Sequence, residues 1–381
     1  MRILFVIDKM QNYAGIERIL SCKMNYISEQ TTHNVFLTTY DQQSKDLPFQ
    51  LNKVISYNPI HVPMPLRDKM TIYSWLKKYF LARSQFKHQF KALLNKIRPD
   101  IVICTVYSFQ VLDIIITICH KQGVKTIMES HTKGETVMMA RKFNYNQHIH
   151  KLLSLWDHHI MKSLCHCSCL VTLTRQDVDF WKQYTHRIEV IPNMLTIKPK
   201  MVLDYGAKRV ISAGRYMSEK GFDRLLKAWG IVIKDFCDWE LYIFGNGDIM
   251  PYQEIANSLH LGESVHLMPA TDDIAKEFSK CSIYVMSSRY EGFGLVLAEA
   301  MSCGLPCVSF NCPYGPREII TDGEDGILVE DGNINALAQK IENLMADSSL
   351  RKTMGTKAIH NIARYNPETI MNRWIKLFNN I

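Results

Sequence analysis

The chain has no long apolar run. Its longest apolar stretch, Ile101 to Cys119, is broken by Ser108, Gln110 and Asp113. A membrane-spanning helix needs about 20 nearly unbroken apolar residues, so a strand followed by a helix is expected here instead. A secretory leader is missing too. The apolar run from Met1 to Ile7 is too short for one and is closed at once by Asp8 and Lys9, so it reads as a first buried strand. No solenoid period and no low-complexity tract is visible. Eleven cysteines are scattered without a leader before them, which points to reduced thiols in a cytoplasmic protein. The segment Cys165-His166-Cys167-Ser168-Cys169 has no second ligand cluster at finger-like spacing and runs straight into the strand-like Leu170 to Thr174. It therefore reads as helix-end packing rather than zinc, which wants four ligands at defined spacing.

What is present suits a two-domain soluble protein. The 381 residues exceed one ordinary core, and 47% hydrophobic with 22% charged residues excludes a disordered chain. Residues 1–200 carry 27 Lys and Arg against 14 Asp and Glu, whereas residues 201–381 carry 18 against 23, so the halves differ in charge and are expected to differ in partners. In the first half, short β-rich runs at 3–7, 35–39, 101–106, 125–128, 170–173 and 188–191 alternate with helical spacing over 17–28 and 75–97. In the second, runs at 210–212, 241–244, 265–267, 283–286, 307–310 and 327–329 repeat the scheme. Such alternation predicts an α/β protein of two parallel, doubly wound sheets, with ligands at the carboxyl ends of the strands. The expected division is 1–195, 196–365, and a carboxyl-terminal helix over 366–381 that opens with Asn366-Pro367 and crosses back to the first domain.

Four segments of the second half carry chemistry. In Ala213-Gly214-Arg215 with Lys220-Gly221, Gly214 admits a close ligand, and Arg215 and Lys220 are placed to neutralise a diphosphate; two solvated cations on a turn are the alternative. Gly245-Asn246-Gly247 lacks the third glycine of a dinucleotide fingerprint and reads as a strand-to-helix turn. In Ser287 to Met301 a strand meets a helix through the turn Gly292-Phe293-Gly294, flanked by Glu291 and Glu299. Backbone N–H groups at the helix start, from Phe293, Gly294 and Leu295 onward, suit an anion, and the two carboxylates suit the hydroxyls of a ribose and a sugar. Asn311 to Ile320, with Gly315-Pro316-Arg317-Glu318, is expected to be a shaped loop lining the same site.

In that order these segments resemble the family-4 retaining glycosyltransferases of the GT-B fold, two Rossmann-like domains facing each other across a cleft. The resemblance implies that Arg215 and Lys220 hold the donor diphosphate, that Glu299 binds the ribose and Glu291 the transferred sugar, and that Gly214 and the amides of Phe293, Gly294 and Leu295 face the donor. The first half is similar more loosely. Tyr13-Ala14-Gly15-Ile16-Glu17-Arg18 resembles the family's glycine-rich loop after the first strand, with Ala14 where a glycine is common, and places Gly15 at the donor phosphates. Glu129-Ser130-His131-Thr132 resembles the segment whose histidine faces the donor sugar, making His131 a site residue.

The function implied is retaining transfer of a hexose or N-acetylhexosamine from a nucleoside-diphosphate sugar to a glycan or lipid-linked acceptor in surface polysaccharide synthesis. The resemblance leans towards UDP. With cations present and no Asp-x-Asp in a suitable loop, neither metal nor other cofactor is expected. A nucleotide-sugar epimerase, or a non-catalytic binding protein on this fold, is the alternative. Residues 67–98 add nine Lys or Arg against Asp68 alone, interleaved with Tyr73, Trp75, Tyr79, Phe80, Phe86 and Phe90. That pattern fits an interfacial helix on an anionic membrane, making the protein peripheral on the inner face, and equally a helix that buries its aromatics and solvates its cations. Without a recognised module, nucleic acid is not expected as a partner.

Overall fold

The computed structural model describes residues 1–11, 15–42, 47–65, 70–105, 110–135, 157–197 and 203–381. Tyr13, Ala14, Arg67, Asp68, Lys69, Val106 and Ser108 lie outside them. The chain forms two compact units, Met1–Pro192 with Met371–Ile381, and Asn193–Ile370.

The first unit is built on seven strands: β1 (Arg2–Ile7), β2 (Asn34–Thr39), β3 (Ser56–Tyr57), β4 (Ile101–Thr105), β5 (Lys125–Ser130), β6 (Cys169–Thr172) and β7 (Ile188–Val190). All pair in parallel, in the order β3-β2-β1-β4-β5-β6-β7. Strand β1 has every residue buried after Arg2, which is why it reads as an unbroken apolar run: a central parallel strand is covered on both faces. Helices α1 (Gly15–Gln30), α2 (Ile72–Ile97) and α3 (Leu112–Lys121) follow strands in the expected rhythm. Phe86, Phe90 and Leu94 of α2 join Ile115 and Ile116 of α3, Leu4, Val102 and Trp181 in one apolar cluster. The side chain of Thr71 caps α2 by accepting from the amide of Ser74, and Arg98 closes it in the left-handed conformation.

The second unit holds β8 (Arg209–Ala213), β9 (Glu240–Gly245), β10 (Val265–Pro269), β11 (Ile283–Met286), β12 (Cys307–Phe310) and β13 (Ile327–Val329), parallel throughout and ordered β10-β9-β8-β11-β12-β13. Helices α4 (Phe222–Val232), α5 (Leu295–Ser302), α6 (Ile334–Ala346) and α7 (Ser348–Ile362) accompany them. Leu225 and Trp229 of α4 and Leu337 and Ile341 of α6 pack with Val210, Leu241 and Val285 of the sheet. The last helix, α8 (Pro367–Asn379), contributes its residues from Met371 onward to the first unit, where Trp374 and Phe378 are buried.

Each sheet reverses its winding once, between β1 and β4 in the first and between β8 and β11 in the second. At such a point the loops leaving neighbouring strands diverge and leave a crevice at the carboxyl ends.

Candidate functional site

The switch point of the second unit gathers the residues that the sequence singled out there. Beyond β8, the turn Gly214–Gly221 ends in a single 3-10 turn, Ser218–Lys220, followed by Gly221 at φ 63°. A Cβ on Gly221 would stand 2.1 Å from the carbonyl oxygen of Ser287, so glycine is needed both for the left-handed backbone and for the close approach of the loop after β11. The Ser287 hydroxyl donates back to the Lys220 carbonyl at 3.0 Å. Two loops far apart in sequence are thereby stitched together.

This stitching sets the charges. Lys220 Nζ lies 2.7 Å from Glu291 Oε1, and the Ser288 hydroxyl donates to the same oxygen at 2.6 Å. Arg215 Nη2 is 3.0 Å from Glu219 Oε1, with its own side chain 61% exposed. An exposed pair of this kind is worth about 0–1 kcal/mol, so the guanidinium can exchange Glu219 for a stronger anion at little cost. Gly214 is packed beside Lys220, whose Cγ and Cδ would be 3.2 Å from a Cβ there. Gly245 is needed because a Cβ would stand 1.9 Å from the Gly214 carbonyl oxygen, and Tyr216 N donates to Asn246 O at 2.7 Å. The Gly-Asn-Gly segment is thus the strand-to-helix turn expected of it, and it braces the basic turn.

Gly294, at φ 91°, occupies the N-cap of α5 and supplies no side chain to the amides that open the helix at Leu295. Phe293 is buried edge-on against Tyr365, ring centroids 5.3 Å apart. The loop after β12 packs on this turn: a Cβ on Gly315 would be 2.1 Å from Phe293 O, and Glu291 N donates to Pro313 O at 3.2 Å. Glu299, one turn into α5, is fully buried, and the Thr196 hydroxyl donates to its Oε1 at 2.5 Å.

Two features escaped the sequence. Arg289 grips Asp223 at 2.8 Å through each of two nitrogens and donates to Ser218 O at 2.6 Å. Its hydrogen bonds hold the Asp223 carboxyl below the usual range. Arg289 lies within the glycine-rich motif, but nothing in the linear order pairs it with Asp223. Thr196 sits in the expected interdomain loop and carries no signal at all.

In the first unit, Gly15 is the exposed first residue of α1. His131 follows β5, one strand removed from the β1–β4 switch point. It is buried, with Nε2 3.0 Å from Glu129 Oε2. The backbone around it is pinned: Ser130 Oγ donates to Thr132 O at 2.9 Å, and Gly134 N to Asp177 Oδ1 at 2.9 Å. The cysteine-rich segment is ordinary packing where it is described. Cys169 begins β6 and Cys167 lies 3.6 Å from the Thr185 hydroxyl, with burial pushing their thiols up to about 12 and about 11. Helix α2 turns out to bury most of its aromatics. Trp75, Tyr79, Phe86 and Phe90 face the core, and Arg83 pairs with Asp113 at 2.6 Å. Tyr73 (78% exposed) and Phe80 (50%) remain outside with Leu81.

The comparisons with known proteins fall on this arrangement. Residues 194–361 match the family described as glycosyl transferases group 1. Those residues form a group 1 glycosyl transferase domain. Over its whole length the chain is similar to the amylovoran biosynthesis glycosyltransferase AmsD of Erwinia amylovora, 26% identical over 391 residues and 99% of each protein. An uncharacterized glycosyltransferase of Haemophilus influenzae is 34% identical over 212 residues, 55% of this chain and 60% of that protein's length, so the chain matches rather more than half of that relative. Among solved structures it is similar to S. aureus TarM bound to Fondaparinux, alpha-GlcNAc-glycerol and UDP, with a TM-score of 0.64 and 25% identity over 78% of this chain and 59% of that one. The two parallel sheets, each with helices between its strands, are those of the GT-B glycosyltransferases.

Proposed function

We propose that the protein is a retaining, metal-independent glycosyltransferase that moves a hexose or N-acetylhexosamine from a UDP-sugar to a glycan or lipid-linked acceptor in surface polysaccharide synthesis. The observation that carries the reading is the joined turn at the β8–β11 switch point, where Lys220, Arg215 and the uncapped start of α5 converge beside Glu291 and Glu299. Cations and helix-start amides suit a diphosphate; buried, pre-aimed carboxylates suit hydroxyls. As the sugar departs, charge grows on the leaving diphosphate, and fixed donors lower that barrier without reorganising. Lys220, Arg215 and the amides supply that charge in place of a divalent ion. The AmsD likeness and the UDP in the TarM complex support the substrate class.

Retention then follows by attack on the face the phosphate leaves. Glu291 Oε1 already accepts from the Ser288 hydroxyl and the Lys220 ammonium, and Glu299 accepts from Thr196, so neither is poised as a nucleophile. The acceptor oxygen bonds to the anomeric carbon as the carbon–phosphate-oxygen bond breaks, and its proton passes to the departing phosphate. Gly15 and His131 serve as the first unit's contacts for phosphate and sugar.

Among the described residues no helix is long and apolar enough to cross a membrane. The exposed stripe of α2 supports peripheral docking on anionic lipid. Tyr73, Lys77, Phe80, Leu81, Lys87 and Lys91 recur at helical spacing, and the helix contains no acidic residue. Each basic residue near such a surface contributes about 1 kcal/mol. Lys77, Lys78, Lys87 and Lys91 together therefore give an attraction of about 4 kcal/mol, a millimolar-range contact. Burial of Tyr73, Phe80 and Leu81 in the headgroup layer raises it to a useful one.

The deciding experiment titrates the full chain with UDP-glucose, UDP-galactose, UDP-N-acetylglucosamine and GDP-mannose. Binding of a UDP-sugar that is lost in Glu299→Ala is expected. No binding by any of them sinks the reading. Binding with interconversion of the sugar, and no transfer, would mark an epimerase.

A further inference from the structure

A buried cluster in the first unit joins His131 to two residues with no role in the function proposed so far. Glu129, at the end of β5, places Oε2 2.6 Å from Lys23 Nζ of α1 and 3.0 Å from His131 Nε2. The three side chains are 4%, 3% and 1% exposed for Lys23, Glu129 and His131. Lys23 Nζ also stands 3.7 Å over the ring centroid of Trp374, so the carboxyl-terminal helix covers its remaining side. A single carboxylate oxygen therefore serves an ammonium and an imidazole in a place almost without water.

Hydrogen-bond chemistry restricts what the imidazole does there. An ionised carboxylate only accepts, so its contact with Nε2 calls for the ring proton on Nε2. Lys23 already balances the charge of Glu129, and a second ring proton would leave an uncompensated cation in the interior. His131 Nδ1 is buried and has no hydrogen-bond partner among the described residues. It is then a lone-pair acceptor left open to a ligand. The ring's position is enforced from the other side as well. Asp177 takes the Gly134 amide and, at 2.6 Å, the Trp181 indole N–H, and a Cβ on Gly134 would lie 2.1 Å from Phe180 Cδ1.

We propose that Glu129 and Lys23 are positioning residues for His131. Lys23 holds Glu129 as a carboxylate, Glu129 takes the Nε2 proton, and Nδ1 is thereby fixed as an acceptor for one hydroxyl of the donor sugar. The pairing itself stands on the contacts of the first unit; its use on a sugar rests on the function proposed above. The same logic orients a metal-bound or catalytic imidazole through a carboxylate on its far nitrogen.

The test uses the full chain labelled with 15N-histidine, at pH 8, with the His131 signal identified by its absence in His131→Gln. Long-range 1H–15N spectra of the wild type should show the proton on Nε2, and Glu129→Gln should lose that pattern. A wild-type ring protonated on Nδ1 overturns the proposal, and that spectrum decides the pairing even if Glu129→Gln does not fold. With UDP-glucose and UDP-N-acetylglucosamine as donors, Glu129→Gln should lower kcat on the order of 10- to 100-fold, the usual effect of losing an orienting partner, with little change in KM. Unchanged kcat in a folded Glu129→Gln protein overturns the positioning role. An Nε2-protonated ring in a protein that binds neither donor overturns the sugar-hydroxyl role together with the transferase reading, while the Glu129–His131 pairing survives.

Discussion

Lys220 Nζ lies 2.7 Å from Glu291 Oε1, joining the loop after β8 to the loop after β11 at the point where the second sheet reverses its winding. Seventy-one residues separate the two side chains, and both are mostly shielded, so the pair is stronger than a surface contact. A donor diphosphate entering here shares the ammonium with Glu291, while Glu291 keeps its bond from Ser288. Lys220→Met should therefore cut kcat with a UDP-sugar by about 100-fold or more, the scale of removing one preorganised charge donor. Glu291→Gln should spare nucleotide binding and impair transfer. Steady-state kinetics with separate UDP titrations measure both. Equal loss of UDP affinity in the two variants would contradict the division of roles.

Gly221 makes a sharper structural prediction. An alanine there incurs about 1–2 kcal/mol for the left-handed backbone and, in addition, drives its methyl into the Ser287 carbonyl. Gly123, at φ 70° with no atom within 4 Å of the place a methyl would take, faces the backbone cost alone. Thermal melting should show Gly221→Ala clearly below Gly123→Ala, and only the former should lose UDP binding.

The strands were legible because parallel sheets bury both faces. β11 to β13 fall at the residues read from the apolar runs, and the other strands differ by a residue or two at their ends. β3 was not legible. Its two residues, Ser56 and Tyr57, hold no periodicity and owe their strand character to pairing with Phe36 and Leu37 of β2. The candidate site divides the same way. Lys220, Glu291 and Glu299 announce themselves through glycine spacing and chemistry. Thr196 on Glu299 and Asp223 on Arg289 arise from chain crossings that linear order does not carry. For α2, composition left two readings, and burial splits the helix between them. Phe86 and Phe90 are core, whereas Tyr73 and Phe80 are surface.

That exposed half of α2 predicts salt-sensitive lipid binding. Vesicles with and without anionic lipid should be distinguished by co-sedimentation, and Lys77→Glu with Lys87→Glu should weaken binding by far more than tenfold, since each reversal removes about 1 kcal/mol of attraction and adds repulsion. Tyr73→Ser with Phe80→Ser should weaken it at all salt concentrations, because the apolar contribution is not screened. Binding that survives the charge reversals would remove α2 from the interface.

Acid should unfold the first unit partly through Glu129. Burial pushes its carboxyl up, but the Lys23 ammonium and the His131 hydrogen bond outweigh that and bring it down to about 2, against an ordinary value of 4.5. The unfolded chain therefore takes up the proton first. The stabilisation is complete above about pH 4.5 and disappears as pH falls towards 2. Asp8 and Asp177, whose carboxyls burial pushes up, act with the opposite sign, so the wild-type acid profile alone does not isolate Glu129. The difference between wild type and Glu129→Gln does. At pH 7 the variant leaves Lys23 charged and unpaired in the interior, a loss of about 3–5 kcal/mol. That gap in melting temperature should be full at pH 7, narrow as pH falls below 4.5, and nearly close towards pH 2, where the wild type has lost most of the same benefit. A gap independent of pH would mean that Glu129 stabilises the fold by packing and not by its charge.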